Sequence, residues 1–241
     1  MTTSETFPLP DELVGIELPD EMSIISAERN TTGETNSVFY CRALFRDRQV
    51  AVYIKVAREA GGRLGHERNI IERIAPSGIP VPRILGYSPA PREALVLEEL
   101  PGELIWDHID PRRKLYDRDF SLPHFVAYGE CLGRIHSLPA EGPAHRRPRL
   151  YGLIDEARIP EERFQRLVSW LTRHTPENRS QTFVHGDLNT ASVLVHEGRV
   201  SGVIDWEFAG LGWREYDLAW LLRARTAFLG TAEEREAVLQ G

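Results

Sequence analysis

Apolar and polar positions alternate most clearly in two early stretches, Ser37–Phe45 (SVFYCRALF) and Gln49–Val56 (QVAVYIKV). Both are rich in β-branched and aromatic residues, which suit the half-buried, pleated surface of a strand. Only the short polar link Arg46-Asp47-Arg48 separates them, so the pattern predicts an antiparallel hairpin. The period then changes. Leu64, Ile70, Ile71 and Ile74 fall on one helical face and predict a helix over Arg63–Ile74. Pro76 and Gly78 stop it, because proline lacks the amide proton that a helix needs and glycine suits the turn beyond its end. Two further strands, Arg83–Ser88 and Ala94–Glu98, are joined by the turn-forming Pro89-Ala90-Pro91.

Leu100-Pro101-Gly102 marks a change of character. Beyond it a helix is expected to start at Ser121-Leu122-Pro123 and to carry Phe125, Tyr128, Leu132 and Ile135 at three- and four-residue steps. A second helix is expected over Glu161–Arg173. Two short strands, Val193–His196 and Val200–Ile204, flank Glu197-Gly198-Arg199, and a last helix covers Tyr216–Arg223. Strands first and helices later predict an α+β chain of two lobes: an N-terminal antiparallel sheet with one helix over 1–99, and a mainly helical part over 100–241.

With 41% hydrophobic and 27% charged residues, the composition is that of an ordinary globular protein. A formal net charge of −7 argues against nucleic acid as the main partner. No apolar run approaches the roughly 20 residues that cross a bilayer, so no membrane partner is expected. The acidic start MTTSETFPLPDELVG does not resemble a secretory signal, and Cys41 and Cys131 read as buried thiols; both point to the cytoplasm. Oligomeric state leaves no trace in the sequence.

The segment that carries chemistry is FVHGDLNTASVLVHEGRVSGVIDWEFAG. Asp187 lies in a polar loop behind an apolar strand entry, and Asp205 follows the apolar run Gly202-Val203-Ile204. The hairpin between them brings the two carboxylates to one end of the sheet. Phosphoryl transfer needs such a pair, one to accept the attacking hydroxyl's proton and one to hold magnesium on the nucleotide phosphates.

His185-Gly186-Asp187 followed by Ile204-Asp205-Trp206-Glu207 resembles the two signature motifs of the aminoglycoside phosphotransferase and choline kinase-like family. The resemblance runs from about Ile24 to Leu222 and implies the two-lobed protein-kinase-like fold, a nucleotide cofactor (ATP or GTP) and magnesium. It implies Asp187 as catalytic base and Asp205 as principal magnesium ligand. Tyr216-Asp217-Leu218-Ala219 resembles the family's downstream helix start, where the Asp buttresses the catalytic loop. Protein kinases carry H-R-D-x-x-x-x-N, whose Asn binds a second magnesium. Here that position is Ser192, a shorter and weaker oxygen donor, with Asn189 nearby at a different spacing. Little sequence follows Asp217, where relatives continue with helices that line the acceptor pocket, so either that pocket is minimal or the chain is cut short.

Lys55, in Val52-Tyr53-Ile54-Lys55-Val56, resembles the kinase strand lysine that meets the α- and β-phosphates, with Glu67 on the next helix as its ion-pair partner and Glu72 as the poorer alternative. Arg29–Ser37, with Thr32 and Gly33, stands where a kinase phosphate loop would be, although it has a single glycine. Leu95–Gly102, with Glu98 and Leu100, resembles the inter-lobe linker whose backbone meets the adenine edge. The expectation is an ATP-dependent phosphotransferase acting on a hydroxyl of a small molecule. Two alternatives stay open: a weak or inactive kinase-like protein that binds nucleotide or a partner, and a metal hydrolase built on His185, Asp187 and Asp205.

Overall fold

The computed structural model describes residues 9–30, 35–59, 63–110, 115–143, 180–221 and 231–241, and the isolated positions 162, 165, 166, 169, 170 and 173. β1 (Met22–Asn30), β2 (Asn36–Phe45) and β3 (Arg48–Ala57) form an antiparallel meander. The expected β2–β3 hairpin is present. Arg46 and Asp47 both adopt positive φ, 50° and 61°, which matches a two-residue turn to the twist of its strands. Phe39, Cys41 and Ala43 of β2 point into a fully buried cluster with Val52 and Ile54 of β3.

α1 (Leu64–Ile74) covers the other face of the sheet, where Ile70, Ile71 and Ile74 meet Leu95 and Leu97. Gly78, at φ +77°, turns the chain away after it, in a conformation that carries little penalty only for glycine. β4 (Ile84–Ser88) and β5 (Ala94–Glu98) complete a five-stranded antiparallel sheet of order β1-β2-β3-β5-β4.

Past Glu98 come the short strands β6 (Glu103–Leu104), β7 (Ile109–Asp110) and β8 (Leu115–Tyr116), then the long helix α2 (Arg118–His136). α2 begins earlier than expected. Asp117 caps it by accepting the N–H bonds of Asp119 and Phe120, so Ser121 and Pro123 lie inside the helix rather than at its start. The six described positions between 162 and 173 are helical, as the pattern predicts for that stretch.

β9 (Thr182–Val184), β10 (Val193–His196), β11 (Arg199–Val203) and β12 (Gly210–Gly212) follow, then α3 (Arg214–Leu221) and α4 (Ala232–Gln240). β10 and β11 form the expected hairpin, β6 joins its edge, and β12 pairs with β9. α3 starts two residues before the sequence pattern suggests. A capping box between Thr231 and Glu234 opens α4. The larger core cluster runs without a break from α1 and β5 through Phe125, Tyr128 and Ile135 to Phe183 and Trp206. The helical half therefore packs directly beneath the sheet, and the site forms along that seam.

Candidate active site

Alternation along β3 turns Val52, Ile54 and Val56 toward one core and leaves Lys55 facing α1. Lys55 is 6% exposed. Its Nζ donates to both carboxylate oxygens of Glu67, 2.8 Å each, and to Asp205 Oδ1 at 2.7 Å. Glu67, wholly buried on the inner face of α1, also accepts the Trp206 N–H at 3.3 Å. Glu72 pairs with Arg68 instead, which decides between the two acids.

Burial opposes the Lys55 charge, but Asp205 and Glu67 outweigh it and raise the amine above its ordinary range. Burial likewise acts to raise Asp205, and the adjoining ammonium overcomes it, holding that carboxyl below its usual value. Asp205 sits at φ 66°, ψ 54°. This left-handed conformation is uncommon outside glycine, although Asp tolerates it better than most residues. It swings the carboxylate out of line with β11 and toward Lys55.

Asp187 lies in the loop after β9. Burial and then the negative charges of Asp205 and Glu207 lift its pKa to about 7, with hydrogen bonds from Trp220 and Asn189 partly restraining the rise. The loop is braced from several sides. Asp217 of α3, fully buried, accepts the backbone N–H groups of His185 (2.9 Å) and Gly186 (2.8 Å) and bonds His136 Nε2 at 3.0 Å. His185 donates from Nε2 to the Ile204 carbonyl, 2.9 Å away, and its Nδ1 accepts the Asp187 N–H at 3.3 Å. Burial lowers the His185 pKa, which suits this neutral tautomer. Asp217, His136 and His185 thus hold the two motifs together.

Ser192 is in the same loop but turned inward. Its hydroxyl donates toward the carbonyls of Asn189 (2.9 Å) and Asp187 (3.3 Å) and accepts the Asn189 N–H (2.9 Å). At 2% exposure it serves as a loop brace in this structure. Glu98 ends β5 with its side chain paired to Arg83 at 2.9 Å, and Leu100 packs against Gly202 of β11. Both belong to the seam between sheet and helices, and neither side chain joins the Lys55 cluster. Thr32 and Gly33 lie outside the described residues. Asn36 lies in the Arg29–Ser37 segment and Glu207 in the second motif, but neither residue has a role of its own in the sequence pattern. Asn36 Nδ2 donates to Glu207 Oε2 at 3.3 Å, a contact that no local pattern announces.

Among the described residues no three His, Cys, Asp or Glu side chains converge on a metal position. Asp205 nonetheless keeps 46% of its side chain open beyond the Lys55 contact. A single open carboxylate fits magnesium, which takes one or two protein oxygens and completes its shell with phosphate oxygens and water. Two open grooves, of about 580 and 640 Å³, flank α2 and contain none of these residues.

A model of the phosphotransferase enzyme family, APH, matches residues 27–241. The chain belongs to that family. The match takes in Lys55, Glu67, Asp187 and Asp205. Among solved structures, an aminoglycoside-3'-phosphotransferase of type VIII is 26% identical, with a TM-score of 0.64 over 91% of this chain and 85% of that one. A ternary complex of aminoglycoside phosphotransferase APH(4)-Ia with ADP and hygromycin B is 18% identical, with a TM-score of 0.62 over 89% and 76%. The fold is thus that of the protein-kinase-like phosphotransferases. Acyl-CoA dehydrogenase family member 11 of Homo sapiens is 25% identical over an alignment 238 positions long that covers 84% of this chain and 29% of that protein. The chain therefore spans less than a third of the length of that relative.

Proposed function

We propose that this protein transfers the terminal phosphoryl group of ATP or GTP to a hydroxyl of a small molecule. The observation that carries the reading is the Lys55 contact. One ammonium touches both Glu67, on the sheet side, and Asp205, at the end of the β10–β11 hairpin. Lys55 then receives the nucleotide phosphates while Glu67 holds it in line, the division of work in kinase-like sites. Asp205 would hold magnesium, which when bound would supply positive charge to the nucleotide phosphates.

Asp187 orients the acceptor hydroxyl and takes its proton as the hydroxyl oxygen bonds to the terminal phosphorus. The bond from that phosphorus to the bridging oxygen breaks, and the nucleoside diphosphate leaves. The complex of APH(4)-Ia with ADP and hygromycin B is in keeping with a nucleotide and a small-molecule partner. Cys41 and Cys131 are buried and unpaired, consistent with a cytoplasmic setting.

The test is magnesium-dependent ADP release across aminoglycosides, macrolides, amino alcohols and sugars. Release stimulated by one class, with phosphate recovered on that compound, supports the reading and identifies the acceptor. The engaged hydroxyl of Ser192 favours a second reading, a nucleotide-binding protein with little turnover. Magnesium-ATP binding with no release across the panel selects that one.

A further inference from the structure

Glu207 lies two residues after Asp205, in the short 3-10 turn Trp206–Phe208, and is 7% exposed. A carboxylate buried to that degree is costly without a donor. Its donor is Asn36, 5% exposed at the first residue of β2. Facing an anion, the Asn36 amide must present its nitrogen, so the direction of the bond is fixed by charge. Asn36 pairs with Ala57 across the β2–β3 ladder, and Lys55 pairs with Val38 in the same register. The end of the sheet that carries Lys55 is thereby attached to the segment that carries Asp205.

Among the described residues, the side-chain hydrogen bonds Lys55–Asp205 and Asn36–Glu207 both join these strands to that segment. They differ in one respect. Lys55 and Asp205 are the groups that engage phosphate and magnesium, so ligand binding loosens their mutual contact. Asn36 and Glu207 hydrogen-bond each other, and among the described residues neither hydrogen-bonds Lys55 or Asp205. We infer that Glu207 is a positioning residue, which through Asn36 keeps the nucleotide-facing end of β2 and β3 in register with the Asp205 segment while Lys55 and Asp205 turn to the nucleotide. The inference rests on the phosphotransferase reading of the site.

Magnesium-ADP affinity of the purified chain, measured by calorimetry, tests it. Glu207→Ala and Asn36→Ala should each weaken affinity about tenfold, with the double substitution no worse than either, because the two side chains act through one bond. Glu207→Gln should recover affinity to within about threefold, since its amide oxygen still accepts from Asn36. Asn36→Asp sets two carboxylates face to face and should weaken binding. Adding Glu207→Gln to Asn36→Asp should restore it, with the bond running in the opposite direction. This last comparison decides the matter even where the alanine variants fold poorly. Failure of the reversed pair to bind better than Asn36→Asp, or additive losses in the double alanine variant, overturns the inference. Wild-type protein that binds no magnesium-nucleotide removes the phosphotransferase reading itself and the inference with it.

Discussion

A carboxylate that accepts a proton works best with a pKa near the pH at which it operates. Asp187, lifted to about 7 by burial and by the charges of Asp205 and Glu207, meets that condition. The same lift has a cost in stability. An unfolded Asp titrates near about 4, so between roughly pH 4 and pH 7 the folded chain holds a proton that the unfolded chain releases. Stability from this group is full below about pH 4 and falls as pH rises to about 7. Asp187→Asn removes that fall. In metal-free buffer without nucleotide, the variant should match wild type near pH 4 and exceed it by on the order of 4 kcal/mol at pH 8. Urea unfolding at the two pH values measures the difference. An equal difference at both would show that Asp187 ionises without constraint.

Helix ends and helix contacts define the next scale. α2 and α4 meet at Gly129, where an added Cβ would collide with the backbone carbonyl of Val238. Alanine is the better helix former by about 1 kcal/mol, but a backbone oxygen cannot step aside as a side chain can, and overpacking costs about 1–3 kcal/mol. The clash wins. Gly129→Ala should lower the thermal midpoint by several degrees, whereas Gly133→Ala, with open space around its Cβ position, should hold or raise it. Equal midpoints for the two variants would contradict the close approach of α2 and α4.

What was legible in the sequence follows from the same physics. Strands β2 and β3 and helix α1 announce themselves because their apolar periods are strong and their breakers are local. The start of α2 does not, because Asp117 and Ser121 are both good caps and only the packing of Ser121 inside the helix separates them. β1 escaped notice because its burial is irregular, with a register shift between Ile24 and Ser26. At the site, Lys55, Glu67, Asp187 and Asp205 were legible through motifs that resemble the family's, with Lys55 and Glu67 on apolar elements and the two aspartates in the loops that flank the β10–β11 hairpin. Asn36–Glu207 was not, since its partners meet only through the tertiary fold. The Ser192 position was visible, but the direction of its hydroxyl was not.

For the molecule as a whole, the core that runs from α1 and β5 into α2 and Trp206 makes the seam between sheet and helices a packed interior rather than a hinge of loops. The change of pattern near Leu100 marks a change of secondary structure and leaves that core undivided. Lys55 from the sheet, and Asp187 and Asp205 from the segments beneath it, are therefore set by one continuous body of packing before any nucleotide arrives. On this account the site separates two jobs, with nucleotide held by Lys55 and Asp205 and the acceptor's proton taken by Asp187. The most direct test measures both on one preparation of Asp187→Ala: magnesium-ATP affinity, and ADP release with the acceptor found for wild type. The account predicts affinity within about threefold of wild type and release reduced by at least about a hundredfold. Release near the wild-type rate would contradict it.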